Sequence, residues 1–147
     1  CTDLQKKYVH QNPTFFFIGG VGSVSLVERI TSKLPEDITT VQLAGNLSIQ
    51  ELIAFLTRVD LFITTDSGPM HIAYALKRKT VALFGVTQPE LLVSEKPFFK
   101  VIYKLESHHH LLGKCFDFNN KPLRSCHVTM KNITVDDVMK AVQELMN

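Results

Sequence analysis

Residues 60 to 84 read DLFITTDSGPMHIAYALKRKTVALF, and this stretch decides the fold class. The β-branched and aromatic residues at 62–65 predict a strand, the proline at 69 predicts a helix start, and TVALF at 80–84 predicts a second strand. A strand, a helix and another strand in succession form a right-handed crossover, which makes the two strands parallel. The stretch therefore predicts an α/β protein.

The same alternation continues on both sides of this stretch. Further strands are predicted at 14–20, where the apolar run indicates two buried faces, and at 38–45 and 99–105. Helices are predicted at about 23–34, 48–58 and 134–147, with Ser48 and Glu51 as a capping box and Thr134 as a cap. We expect a Rossmann-like parallel sheet with flanking helices, whose ligands bind beyond the carboxyl ends of the strands.

Length, charge and cysteine content exclude several classes of protein. With 147 residues, 45% of them hydrophobic, we expect a single domain over residues 1–147. The 16 basic and 14 acidic residues give a net charge of +2, which indicates no nucleic-acid partner. No apolar run reaches the roughly 20 residues that span a bilayer, and three cysteines suit a reducing compartment, so we expect a cytoplasmic protein. The first residue is Cys1, which suits a piece of a longer polypeptide.

The turn after the predicted strand at 62–65 is the first candidate site. Pro69 begins a helix whose N–H groups and positive dipole end face the ligand edge of the sheet. Ser67 adds a hydroxyl, Gly68 permits close backbone approach and His71 lies in the first turn, so we expect a diphosphate here. Asp66 would repel that ligand and is expected to order the loop. In the structural alternative, Asp66 or Ser67 merely caps the helix and His71 is a buried, hydrogen-bonded side chain.

Two other loops follow predicted strands. GGVGSVS at 19–25 places Gly20 and Gly22 as in a dinucleotide fingerprint, but Ser25 stands at the third glycine position, which disfavours an NAD-dependent oxidoreductase. These glycines form either a tight turn or one wall of a nucleotide cleft. LAGNLS at 43–48 has small residues that would let a base lie near Gly45 and Leu47, although the loop needs no ligand to form.

A third cluster of residues has the types that bind metals. It consists of the histidines at 108–110, Cys115, Cys126 and His127. Cys-x-x-Cys pairing is missing, and three consecutive histidines do not converge easily on one ion, so we expect no metal. Exposed histidines and buried thiols are the expected arrangement.

Residues 60 to 89 resemble the donor-binding core of the bacterial heptosyltransferases, glycosyltransferase family 9. That family shows an apolar strand, Asp-Ser/Thr-Gly-x-x-His, an alanine-rich helix, another strand and a Phe-Gly-x-Thr-x-Pro loop. The matching positions are Asp66, Ser67, Gly68, His71, Ala73, Ala75, Phe84, Gly85, Thr87 and Pro89. Weaker similarity extends from about residue 14 to the final helix.

The resemblance implies the C-terminal, donor-binding lobe of a two-lobed, B-type glycosyltransferase, truncated at its N-terminus. The acceptor lobe would then lie outside this chain, and the fragment alone would be inactive. The resemblance assigns Ser67, Gly68, His71 and the amide of Met70 to the diphosphate-binding site, with Asp66 as a member of the same loop rather than a direct contact.

The nucleotide itself is implied to lie near Gly20, Gly45 and Leu47, and Thr87 to face the cleft without a defined role. Gln88 stands where the family often has an aspartate, so the base and sugar of the donor stay open.

The implied reaction is an inverting transfer of heptose from ADP-heptose to the inner core of lipopolysaccharide. A general base in the missing lobe would activate the acceptor, and His71 would stabilise the leaving diphosphate. No cofactor or metal is expected, because the helix start provides the positive potential. The implied partners are the donor, the lipopolysaccharide acceptor and the N-terminal lobe, with the enzyme cytoplasmic or peripheral on the inner membrane. The alternative is a non-catalytic α/β module that binds a nucleotide or phosphate.

Overall fold

The structure is a computed structural model that describes residues 1–85, 87–104 and 129–147. Within it the chain divides into two compact units, Cys1–Ala54 and Phe55–Asn147. The cluster of histidines and cysteines at 108–127, for which no metal is expected, lies outside the described residues.

The first unit is built on a small parallel sheet. Its elements are α1 (Thr2–Lys7), β1 (Phe15–Phe17), α2 (Val24–Thr31), β2 (Thr40–Gln42) and the greater part of α3 (Ile49–Leu56). β1 and β2 are parallel, with Phe15 opposite Thr40, as the crossover predicts. Val27 and Ala44 are buried, but Phe16 is 45% exposed. The prediction of two buried faces is therefore wrong for β1, because Phe16 projects from the opposite face to its neighbours in the strand.

The second unit contains a three-stranded parallel sheet. Its elements are β3 (Phe62–Thr65), α4 (Gly68–Ala75), β4 (Thr80–Phe84), β5 (Phe99–Tyr103) and α5 (Val135–Met146). The strand order is β3-β4-β5, with Thr65 opposite Leu83. The central strand β4 is buried on both faces, since Val81 and its neighbour Ala82 are each 0% exposed. The predicted α/β fold class is confirmed.

The core of the second unit joins α4 to the sheet. Met70 of α4 packs in one cluster with Phe84 of β4, Phe99 of β5 and Val93 of the loop between those strands. α5 packs against β4 and β5, and Lys100 of β5 forms an ion pair with Glu144 of α5 at 2.8 Å. These contacts hold α4 and α5 against the sheet.

Two predicted helix caps are confirmed. Before α3, the Ser48 N–H donates to Glu51 Oε2 at 2.8 Å and the Glu51 N–H donates to Ser48 Oγ at 3.3 Å. Before α5, the Thr134 N–H donates to Asp137 Oδ2 at 2.7 Å and the Asp137 N–H donates to Thr134 Oγ1 at 3.3 Å. Each helix start therefore holds a carboxylate against its first amides.

The Asp137 carboxylate has a further partner. Lys104 Nζ lies 2.5 Å from Asp137 Oδ2. The hydrogen bond from Lys104, followed by those from Thr134, holds the pKa of Asp137 well below its ordinary value. In the described part of the chain, every helix is too short or too polar to cross a membrane.

Candidate functional site

The candidate site lies where β3 and β4 end. These strands are parallel, so their carboxyl ends meet at one edge of the sheet. The Asp66 N–H donates to the carbonyl oxygen of Leu83 at 3.2 Å, which extends the pairing by one residue. The loops that start at Asp66 and Gly85 therefore leave the sheet side by side. The structure thus places the predicted residues 66–71 and Thr87 on adjoining loops.

Ser67 shapes the turn between β3 and α4. Its backbone is extended, with φ −164° and ψ 166°, and its side chain makes no capping bond to the helix. Instead, Ser67 Oγ donates to the carbonyl oxygen of Thr65 at 3.1 Å and lies 3.3 Å from Thr64 Oγ1. The first turn of α4 contains no acidic residue. The alternative in which Asp66 or Ser67 caps this helix is wrong. The serine hydroxyl is directed to the preceding backbone, and the Asp66 carboxylate makes no hydrogen bond to the helix among the described residues.

The first amides of α4 divide into paired and unpaired groups. The Met70 and His71 N–H groups both donate to the carbonyl oxygen of Ser67, at 3.0 and 3.4 Å. Pro69 has no N–H, and the amides of Ser67 and Gly68 have no acceptor among the described residues. Gly68 is exposed, with nothing within 4 Å of where a Cβ would stand. The free donors are therefore Ser67 and Gly68, and the Met70 amide, predicted for the diphosphate, already has a partner.

The electrostatics of this helix start differ from those of α3 and α5. Those two helices each place a carboxylate, Glu51 or Asp137, on their first amides. At α4 no carboxylate of the described residues hydrogen-bonds to the first amides, although Asp66 Oδ1 lies 3.9 Å from His71 Nε2. Since a helix start carries about half a positive charge, α4 keeps a positive potential that α3 and α5 neutralise. An anion at Gly68 would meet this potential directly.

His71 borders the same turn. Its side chain is 47% exposed, which contradicts the alternative that it is a buried histidine. His71 Nε2 lies 3.9 Å from Asp66 Oδ1, within ion-pair range but too far for a hydrogen bond. The Asp66 side chain is 23% exposed. The imidazole is therefore accessible to a ligand at the helix start, with the carboxylate on its flank.

The remaining predicted nucleotide residues lie in the first unit. The Gly45 N–H donates to the carbonyl oxygen of Gly19 at 2.9 Å, so the loops after β1 and β2 meet. Gly45 has φ +78°, and a Cβ there would lie 3.2 Å from Val24 Cγ2. The turn itself thus requires this glycine. Space beside Gly20 is open and Leu47 is half-buried, and their role with a nucleotide stays a prediction.

A cavity of about 320 Å³ opens in the second unit, at the opposite end of β3 and β4. It is lined by Asp60, Lys77, Arg78, Lys79 and Met146. Arg78 Nη2 donates to the carbonyl oxygen of Val59 at 2.7 Å, and the Arg78 N–H closes the end of α4 on the carbonyl of Ala73. Cations at a helix C-terminus stabilise its negative dipole end, which explains this cluster without a ligand.

One contact near the site has no signal in the sequence. The Tyr74 hydroxyl, on α4, bonds to Ser94 in the loop after β4. The two residues are 20 positions apart, so helical or strand periodicity gives no signal for the pair. Within the described residues, no group of three His, Cys, Asp or Glu side chains is placed to hold a metal ion.

Fold and site together define a parallel α/β protein with a positively polarised helix start at the carboxyl edge of its sheet. A sequence model of glycosyltransferase family 9 (heptosyltransferase) matches residues 4–115. This chain therefore belongs to glycosyltransferase family 9, as the resemblance of residues 60 to 89 implies.

Curated relatives agree with this assignment. The chain is 32% identical to lipopolysaccharide heptosyltransferase 1 of Campylobacter coli over 110 residues, which are 71% of this chain and 28% of that protein. It is 33% identical to lipooligosaccharide heptosyltransferase 2 of Campylobacter jejuni subsp. jejuni over 132 residues, which are 88% of this chain and 40% of that protein. The chain thus spans less than half the length of these relatives.

Solved structures share the fold. A glycosyl transferase family 9 protein from Veillonella parvula superimposes with a TM-score of 0.75 at 22% identity. The ADP-heptose lps heptosyltransferase II of E. coli superimposes with a TM-score of 0.72 at 20% identity. Each match covers 98% of this chain and 39% of the other. The fold is therefore that of the family over nearly the whole chain.

Proposed function

We propose that this chain is the donor-binding lobe of an inverting heptosyltransferase, which transfers heptose from ADP-heptose to the lipopolysaccharide core. Family membership supports the class of reaction over a non-catalytic binding module. The observation that carries the donor assignment is the start of α4. There Gly68 is exposed, and among the described residues its amide has no acceptor and no side chain caps the helix. A diphosphate is the part of such a donor that this potential attracts.

The proposed chemistry follows the charge that develops on the leaving group. An acceptor hydroxyl attacks the anomeric carbon while the bond to the diphosphate breaks, so negative charge builds on the diphosphate oxygens. This charge would be stabilised by the amides of Ser67 and Gly68 and by the ring of His71. These groups would therefore stabilise the transition state more than the bound ground state. Asp66 would lie beside the imidazole, with its Oδ1 3.9 Å from His71 Nε2, and would take no part in binding the diphosphate. The base that deprotonates the acceptor would belong to the acceptor lobe, outside these residues.

The proposal extends to cofactors and partners. Because fixed amides supply the positive potential, the reaction is proposed to need no metal and no cofactor. The acceptor would be the lipopolysaccharide core, and the enzyme would work in the cytoplasm, at the surface of the inner membrane. Activity that persists in EDTA would agree with the metal-free proposal, and activity restored only by a divalent cation would contradict it.

Isothermal titration calorimetry on the natural polypeptide that contains these residues tests the donor assignment. ADP and ADP-heptose are expected to bind, with UDP and NAD weaker. Gly68→Asp is expected to weaken ADP binding at least tenfold, because it places a carboxylate on the free amides. Gly68→Asn is the matched control, since it has the same shape without the charge, and it is expected to cost about threefold or less. A preference for NAD, or equal loss in both variants, would contradict the proposal.

A further inference from the structure

The Tyr74 hydroxyl uses its full hydrogen-bonding capacity on one residue. It lies 3.2 Å from the Ser94 carbonyl oxygen, 3.0 Å from Ser94 Oγ and 3.3 Å from the Ser94 backbone nitrogen. A phenol has one hydrogen to donate and two lone pairs. Donation to the Ser94 carbonyl, with acceptance from its N–H and its hydroxyl, satisfies all three contacts together. Tyr74 therefore holds the backbone of Ser94 as well as its side chain.

The ring of Tyr74 is itself fixed. It packs edge-on against Phe99 of β5, with ring centroids 4.9 Å apart and an interplanar angle of 89°. Phe99 is 0% exposed and belongs to the core cluster. An edge-to-face contact of this kind sets the direction of the phenol. The packing of the ring against the core thus fixes the position of the hydroxyl that bonds to Ser94.

Ser94 lies in the second half of the loop between β4 and β5, which begins beside the candidate site. The loop leaves β4 beside the start of α4 and carries Thr87, and its middle is held by buried Pro89 and Val93. The Val93 N–H donates to the carbonyl oxygen of Pro89 at 2.9 Å. Tyr74 lies one turn of α4 after His71. The helix α4 therefore has the proposed diphosphate site at its start. One turn later, its Tyr74 hydrogen-bonds to Ser94 in the adjoining loop.

From this geometry we infer that Tyr74 is a positioning residue, which orders residues 87–97 of the loop after β4 relative to α4 before the donor binds. The inference rests on the proposed function, because it takes the donor to lie at the start of α4. A loop that is ordered in advance loses less conformational entropy on binding. Loss of the hydroxyl should then weaken donor binding while the chemical step, which involves His71 and the helix start, is preserved.

Steady-state kinetics of Tyr74→Phe in the natural polypeptide tests this inference. Phenylalanine keeps the ring and its contact with Phe99, so the variant should fold. We expect KM for ADP-heptose to rise about fivefold and kcat to change less than twofold, the pattern of an interaction lost equally from ground and transition states. Tyr8→Phe is the matched control, since it removes a phenol hydroxyl from the first unit, and it should leave both constants unchanged.

Ser94→Ala provides a second test through the same contact. Alone it removes only the Oγ bond, so KM should rise about twofold. In the Tyr74→Phe background it should add nothing, because the shared interaction is already absent. A Tyr74→Phe enzyme with unchanged KM, or with a fall in kcat alone, overturns the inference while the proposed function stands. A wild-type protein that fails to bind ADP overturns the proposed function itself, and the inference with it.

Discussion

Ser67 Oγ donates a hydrogen bond to the carbonyl oxygen of Thr65, 3.1 Å away, and makes no bond to the amides of α4. Serine is among the preferred caps of helix starts, and the hydroxyl here stabilises the preceding turn instead. The neighbouring residue Gly68 is exposed, and its amide has no acceptor among the described residues. This arrangement leaves the start of α4 available to an anion. The starts of α3 and α5, by contrast, are capped by the carboxylates of Glu51 and Asp137.

Replacement of His71 by alanine should reduce turnover at least tenfold, a loss of about 1.4 kcal/mol or more of transition-state stabilisation. The physical reason is that the accessible imidazole lies beside the helix start where the leaving diphosphate is proposed to gain charge. The measurement is kcat of the natural polypeptide with ADP-heptose. His10→Ala, at an exposed position of the first unit, is the control. Unchanged turnover in His71→Ala would remove this residue from the mechanism.

Gly45→Ala should destabilise the protein by about 1–2 kcal/mol, because φ +78° strains any residue with a Cβ and that atom would lie close to Val24. Gly20→Ala should change the stability by less than about 0.5 kcal/mol, since its surroundings are open. Urea unfolding followed by circular dichroism measures both variants. Equal stability of the two variants would show that a Cβ at position 45 does not strain the turn.

Asp137 makes stability sensitive to acid. Its folded-state pKa is lowered from an ordinary value of 3.8, so the carboxylate stabilises the fold above about pH 4 and this contribution is lost as the pH falls below that value. Asp137→Asn should lower the melting temperature at pH 7 by about 2–4 °C, through the lost bond to Lys104 and a weakened cap. The difference from wild type should shrink when the melts are repeated between pH 4 and 2.

Asp136→Asn is the control for that experiment. Asp136 is exposed and lies in the same first turn of α5, but has no ion-pair partner among the described residues. Its replacement should move the melting temperature by less than 1 °C at about neutral pH. A pH dependence identical in the two variants would mean that the Lys104 contact does not determine the acid response.

Much of the fold could be predicted because its signals are local. TVALF matches the bounds of β4 at Thr80–Phe84, and the capping box at Ser48 and the cap at Thr134 are formed as predicted. Parallel pairing follows from the crossover rule, which needs only the order of the elements. Exposure of Phe16 could not be predicted, because it depends on what covers a face of β1 rather than on the strand sequence.

The candidate site was predicted in part. Residues 66–71 follow a strand and begin a helix, and this alone places them at the ligand edge of the sheet. The rotamer of Ser67 and the pairing of the Met70 amide could not be read from the sequence, because a serine before a helix has several acceptors within reach. The Tyr74 contact joins residues distant in sequence and leaves no local pattern.

The most direct test of the central claim is the ¹H–¹⁵N spectrum of the natural polypeptide during titration with ADP. We expect the amide resonances of Ser67 and Gly68 to shift most, in proportion to bound nucleotide, while those of the capped amides of Glu51 and Asp137 stay unchanged. Saturable binding of ADP with no shift at Gly68, or with larger shifts at the capped helix starts, would contradict the assignment of the diphosphate to α4.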